Sequence, residues 1–118
     1  MQYLLLIYSD QSRFSDGYDP SEMAAYQAFG EKFAHAIKGG NALQLTNTAA
    51  TVRVREGKTL TTDGPFAETK EQLGGYYLVE ASSADEAIGI AARIPGARYG
   101  SIEVRPILTF SYTCEQKV

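Results

Sequence analysis

A chain of 118 residues is long enough for one domain with one core and too short for a second domain of ordinary size. Its formal charge of -3, with 11 Lys and Arg spread along it, supplies no basic stripe for a phosphate backbone, so nucleic acid is not an expected partner. One cysteine and one histidine exclude an internal disulfide and leave no nitrogen–sulfur cluster for zinc, so neither metal nor other cofactor is expected, and a reducing, cytoplasmic setting is.

The opening MQYLLLIY is apolar for too few residues to cross a bilayer, and it has neither a basic start nor a small-residue cleavage site, so no membrane partner is expected. Residues 2–8 read instead as a buried strand. The Ser-, Asp-, Gly- and Pro-rich stretch to Pro20 is a loop, with Asp19 or Ser21 able to cap the next helix. From Ser21 to Lys38, Tyr26, Phe29, Phe33 and Ile37 recur at helical spacing, and Gly39-Gly40 reads as the helix end. On that helical wheel His35 faces solvent, while Glu22 lies on the apolar side, where it either meets the helix dipole or reaches into a cavity.

TVRVREGKTLTT alternates strictly and turns at Glu56-Gly57, the pattern of an accessory hairpin near residues 50–62 with one wet face. A charged loop leads to the apolar strand of residues 74–80. Ser83 to Arg93 is a second helix, with Ser83 and Glu86 as its capping box, small residues along one face and Pro95 just past its end. Ile102, Val104 and Ile107 alternate with polar residues in a last strand, Ser101 to Leu108, and residues 109–118 form an extension that either continues it or lies on a neighbour. The order matches a ferredoxin-like βαββαβ domain over residues 1–108, an α+β fold with both helices on one face of an antiparallel sheet. Strands 1 and 74–80 are apolar on both faces, more than a monomer usually exposes. A homodimer with stacked sheets, an isologous contact, is the economical solution.

Between the hairpin and the central strand stands DGPFAETKEQLGG, residues 63–75. Asp63-Gly64-Pro65 is a turn, with Asp63 able to bond its own backbone two residues on. Gly74-Gly75 marks a bulge or a close approach of backbone or ligand. This run, together with YLLLIYSD, TVRVREGKTLTTDGPF and AARIPGARYGSIEVRPI, strongly resembles the DGPF-motif branch of the YCII-related family across most of the chain. The resemblance implies the same ferredoxin-like fold and a dimeric α+β barrel. It also implies kinship with small enzymes that use a His–Asp pair, a dehydrochlorinase of a chlorinated hydroquinone among them, with the histidine near the start of helix 1. Here Glu22 and Met23 stand at that start, and His35 lies elsewhere.

Asp63 is the candidate acid or base, and as an alternative it is only a turn residue. Glu68, Lys70 and Glu71 form ion pairs on a solvated loop or contact a ligand. Glu103 and Arg105 need partners if their face is an interface, Glu68 or Lys70 being the candidates. Tyr8 and Tyr76 have hydroxyls able to line a pocket. Cys114 has no neighbour to activate it. The reading is a small-molecule-binding YCII-related protein whose ligand meets Asp63, Gly64, Pro65, Phe66, Glu68, Lys70, Arg105 and Tyr8. One alternative is a cofactor-independent lyase, isomerase or dehydrochlorinase-like enzyme using Asp63, with Arg105 or Lys70 stabilising negative charge. Another is a regulatory module, since genes of the resembled branch often lie near those of sigma factors.

Overall fold

Strand β1 (Gln2–Ser9) is the spine of a four-stranded antiparallel sheet, because its Leu- and Tyr-rich sequence can be buried on both sides. The computed structural model describes residues 1–110. Against β1 lie β5 (Gln72–Glu80) and β6 (Ser101–Pro106), and β2 (Ile37–Ala42) pairs with the outer edge of β5, giving the order β2-β5-β1-β6. Helices α1 (Pro20–Lys32) and α2 (Ala84–Ala91) make the two crossovers. This is the ferredoxin-like arrangement.

The register sorts the side chains. Tyr3, Leu5 and Ile7 of β1 share a face with Val79 and Tyr77 of β5 and with Val104 and Ile102 of β6. That face packs on Phe29, Ala87, Ile90, Ala91 and Ile94 to form the core. Leu4, Leu6 and Tyr8 share the other face with Leu78 and Tyr76 of β5 and with Arg105 and Glu103 of β6. No helix among the described residues covers it.

The first helix is shorter than its periodicity suggests. Asp19 Oδ1 accepts from the Ser21 N–H (2.9 Å), Pro20 sits in the first turn, and the helix ends at Lys32. Residues 33–36 form a turn, in which His35 is exposed as expected but is not helical. Ile37 then opens β2, opposite Val79. Gly39-Gly40 is therefore strand, not helix end. A Cβ on Gly40 would fall 2.7 Å from the Tyr76 carbonyl oxygen and 2.8 Å from the Tyr77 ring, so no other residue fits that crossing.

The accessory hairpin is present as β3 (Ala50–Arg55) and β4 (Lys58–Asp63), paired only with each other. Glu56 and Gly57 both take positive φ (52° and 76°), the type I′ turn that matches strand twist. Helix α2 is capped by Ser83 Oγ accepting from the Glu86 N–H (3.1 Å), while the Glu86 carboxylate reaches back to the Ser82 N–H (2.5 Å). That contact holds the Glu86 carboxyl below its ordinary pKa. The last strand stops at Pro106, and of the predicted extension residues 111–118, Cys114 with them, lie outside the described residues.

Candidate functional site

A cavity of about 620 Å³ opens between the sheet and the first half of α1, on the helix-covered face. Its floor is Ile7, Gly40, Gly75 and Tyr77, where glycines leave bare backbone in place of side chains. Glu22 and Tyr26 of α1 form the roof, and Arg13 and Phe14, from the 3-10 turn Gln11–Phe14 after β1, form one wall. Tyr18, Met23 and Leu43, all large, apolar and exposed, rim the mouth.

The polar groups of this cavity are held in place from several sides. Asp10 Oδ1 accepts from the Ser12 N–H (3.0 Å) and caps the 3-10 turn, and that hydrogen-bonding holds the Asp10 carboxyl below its ordinary pKa. The turn aims Arg13 back over the sheet, where its guanidinium stands 4.2 Å from the Tyr99 ring centroid and 5.0 Å from that of Phe14. Arg13 Nη2 donates to Glu22 Oε1 at 2.6 Å, with only 26% and 15% of the two side chains exposed. Gln11 Oε1 accepts from both the N–H and the hydroxyl of Thr46 (3.0 and 3.1 Å), tying this wall to the loop after β2.

Tyr26 completes the set. The Gly96 N–H donates to its hydroxyl oxygen (3.1 Å), and its own proton has no acceptor among the described residues. Burial pushes the phenol up to about 12, so at neutral pH it is a fixed donor and never a base. The cavity thus offers a neutral O–H donor, a guanidinium with unused N–H groups and a carboxylate with a free oxygen. Glu22, placed on the apolar side of its helix by the sequence, stands in the first turn of α1, at the positive end of the helix dipole, and also lines the cavity.

The residues singled out around the motif stand elsewhere. Asp63, Phe66, Glu68 and Lys70 are exposed, Phe66 by 79%, and none of them lines the cavity. The turn is closed by the Gly64 N–H to Ala49 O (2.6 Å) and by the Thr51 hydroxyl to Gly64 O (2.9 Å), with Gly64 at φ 95° and Pro65 half-buried after it. The Asp63 carboxylate takes no part in it. The residue two positions on is Pro65, which has no N–H to give, so the bond to its own backbone expected of Asp63 cannot form.

Glu68 and Lys70 make no ion pair among the described residues, and Glu71 accepts from the Ser101 hydroxyl (2.8 Å). On the open face Arg105 pairs with Glu103 of its own strand (2.5 Å) rather than with Glu68 or Lys70, and Tyr8 donates to Glu103 (3.4 Å). Its hydrogen bond to Glu103 raises the Arg105 guanidinium above its ordinary pKa. Tyr76 accepts from the Asn41 amide (2.9 Å). Gly74 is the bulge suspected of the glycine pair, since Ile7 pairs with Gly75 and Tyr8 with Leu73, and Gly75 is the close approach, buried in the cavity floor. Among the described residues no group of three or more His, Cys, Asp or Glu could hold a metal ion.

The YCII-related domain matches residues 1–111. This chain belongs to the YCII-related family. An uncharacterised protein of Rhizobium meliloti (strain 1021) is 41% identical over 117 residues, covering 93% of this chain and 94% of its own. Among solved structures, the YCII-related fold described here is similar to that of 5-chloro-2-hydroxyhydroquinone dehydrochlorinase (TftG) from Burkholderia phenoliruptrix AC1100, in complex with 2,5-dihydroxybenzoquinone. The TM-score is 0.56 over 92% of this chain and 94% of that one, and at 17% identity the likeness is one of fold.

The sequence did not single out Arg13, and it assigned Tyr26 to the apolar face of the helix. The signal for Arg13 was its place: a cation in the loop that leaves the central strand, where an α+β sheet presents its connections.

Proposed function

We propose that this YCII-related protein binds a small planar molecule carrying an acidic hydroxyl beside a carbonyl or enolate oxygen, in the cavity beneath α1. The observation that carries this reading is the half-buried Arg13–Glu22 pair facing the unpartnered Tyr26 proton. Arg13 and Tyr26 suit an electron-rich oxygen, the free oxygen of Glu22 suits a hydroxyl, and Phe14 and Tyr77 suit a flat apolar body. A fold-level relative holding a dihydroxybenzoquinone supports the same ligand class.

The cofactor-independent enzyme is the second reading, favoured by the same three groups. Glu22 would take a proton from the ligand while Arg13 and Tyr26 stabilise the enolate that forms, the chemistry expected of an isomerase or a lyase. Asp63, with Gly64, Pro65, Phe66, Glu68 and Lys70, is a separate candidate for ligand contact, as are Tyr8 and Arg105 on the open face. The motif loop runs into β5 at the end of the sheet where the cavity opens, because Gln72 pairs with Ser9. For assembly, the open face of Leu4, Leu6, Tyr76 and Leu78 favours a homodimer with stacked sheets.

Thermal-shift screening of hydroxyquinones, dihydroxybenzenes and enol carboxylates tests the ligand class. At a hundredfold excess over Kd a true ligand adds about 2.7 kcal/mol, several degrees in Tm. Arg13→Met should abolish the shift and Asp63→Asn should not. A ligand whose shift survives Arg13→Met but not Asp63→Asn would move the site from the cavity to the motif loop.

A further inference from the structure

The cavity beneath α1 has its polarity reversed. Folded chains ordinarily keep apolar side chains inside and charged ones in water. Here the charged pair is mostly withdrawn from water, with 26% of the Arg13 side chain and 15% of the Glu22 side chain exposed, and Tyr26 is half-buried with it. The rim is the opposite: Tyr18, Met23 and Leu43 are 55%, 59% and 40% exposed. They come from three segments. Tyr18 follows Gly17, which turns the chain at φ 95°, and its ring centroid lies 5.0 Å from that of Phe14. Met23 stands near the start of α1, and Leu43, just after β2, is fixed by its N–H donating to Gly74 O (2.9 Å). Large apolar side chains brought to one opening by separate elements are the form in which a ligand groove shows itself.

The polar residues among them are engaged within the chain. Asp19 Oδ1 accepts from the N–H and the hydroxyl of Ser21 (2.9 and 3.0 Å), Gln11 Oε1 accepts from Thr46, and the Asn41 amide donates to Tyr76. What the mouth chiefly offers a ligand is apolar surface. There is also space for more than one ring: 620 Å³ falls within the range of about 300–1,000 Å³ that takes drug-sized ligands.

We propose that the ligand is an amphiphile bound head first: its planar hydroxy-carbonyl ring meets Arg13, Glu22 and Tyr26, and an alkyl or alkenyl chain on that ring lies along Tyr18, Met23 and Leu43. This rests on the reading of the cavity given above and adds the part of the ligand which that reading leaves open. The order of the groups selects it. A bare ring held at the polar end leaves the three rim side chains in water, and a polar arm covers them without a partner for its own polar atoms. An apolar arm removes them from water and meets no unmatched charge. Met23 suits the task, since an unbranched thioether adapts to chains of different length, and Tyr18 supplies a flat wall. The rim residues thereby set which ring substituents the site accepts.

The test is isothermal titration calorimetry of the full chain with 2,5-dihydroxybenzoquinone and its 3-methyl, 3-propyl and 3-pentyl derivatives. Affinity should rise about two- to fourfold per methylene, the upper figure corresponding to full burial. Met23→Gln with Leu43→Gln should flatten that gain. Val52→Gln with Val54→Gln, exposed valines of β3 that do not line the cavity, should leave it intact, which separates contact at the rim from general stickiness. Arg13→Met should abolish binding along the whole series. A parent quinone that binds with no gain along the series, or a gain that survives in the rim variant, overturns the apolar arm and leaves the ring site standing. A pentyl derivative bound by Arg13→Met as tightly as by wild type overturns the head-first order. Absence of binding by every member overturns the ring site itself, and the arm with it.

Discussion

Replacing Glu22 by alanine removes one half of the only pair in which both charged side chains are mostly buried, among the described ion pairs. The pair is close, 2.6 Å, and about three-quarters of Arg13 is withdrawn from water. Losing a hydrogen bond between charged groups costs about 1.5–3 kcal/mol. Breaking a fully buried pair costs more, about 3–5 kcal/mol. Here the stranded guanidinium keeps its stacking on Tyr99 and Phe14 and a quarter of its surface in water, which places Glu22→Ala near the lower range, about 2 kcal/mol. In a domain of this size that is a fall in Tm of roughly 8 °C.

Calorimetry of wild type, Glu22→Ala, Arg13→Met and the double variant forms the cycle that checks it. The double variant should be more stable than the sum of the single losses allows, by about 1–2 kcal/mol, because neither partner is left unpaired. Strict additivity, or a Glu22→Ala loss below about 0.5 kcal/mol, refutes the claim that the two residues form a coupled unit. Glu22→Gln separates charge from shape: it keeps an acceptor for Arg13, so it should recover at least half of the stability, while the ligand shift should be lost in both Glu22→Ala and Glu22→Gln because neither leaves a free carboxylate oxygen for the ligand hydroxyl.

Three further outcomes follow from the geometry. Gly96→Ala would set a Cβ 2.6 Å from the Tyr26 hydroxyl oxygen and 3.3 Å from Ile7, displacing Tyr26 and costing about 1–3 kcal/mol by denaturant titration, with the ligand shift reduced as well. Ser83→Ala removes the α2 cap and should cost about 1 kcal/mol in the same titration, without touching the ligand shift. Tyr26 is raised by burial to about 12, so the folded state holds its proton more tightly than the unfolded state. Its contribution is full below pH 10 and fades as pH rises from there through 12. Urea titrations at neutral pH and at pH 11 should therefore show a larger alkaline loss for wild type than for Tyr26→Phe, and equal losses would place the phenol in ordinary solvent.

The spine of the fold was legible because β1, β5 and α2 each carry one consistent signal: apolar runs of strand length, or a cap followed by a small-residue face. Strand β2 was not. Ile37 meets the core in either reading, as the last apolar position of a long helix or as the first residue of a strand opposite Val79, so periodicity cannot tell them apart. What decides is the outer edge of β5, whose backbone groups need a partner, and that demand is tertiary. Gly39-Gly40 looked like a stop signal because glycine ends helices and also permits close strand crossings, and one sequence position does not say which.

The site was partly legible for a similar reason. DGPF is an unusual run of residue types, yet its turn is satisfied by backbone and Thr51, and the Asp63 carboxylate faces water. A cavity in a close-packed interior exists only where the side chains that would fill it are missing. Here the floor is bare at Gly40 and Gly75, and Gly96 admits the Tyr26 hydroxyl to its own N–H; at Gly40 and Gly96 the neighbours leave no room for a Cβ. These glycines come from three segments far apart in sequence, and no local motif unites them. Their shared feature is what stands over them, the carboxylate, the guanidinium and the phenol, each of which would be costly to hold away from water beside a filled core. The glycines act by close approach: at Gly40 and Gly75 they let strands β2 and β5 cross without a side chain between them, and at Gly96 the missing side chain lets the phenol reach a backbone N–H.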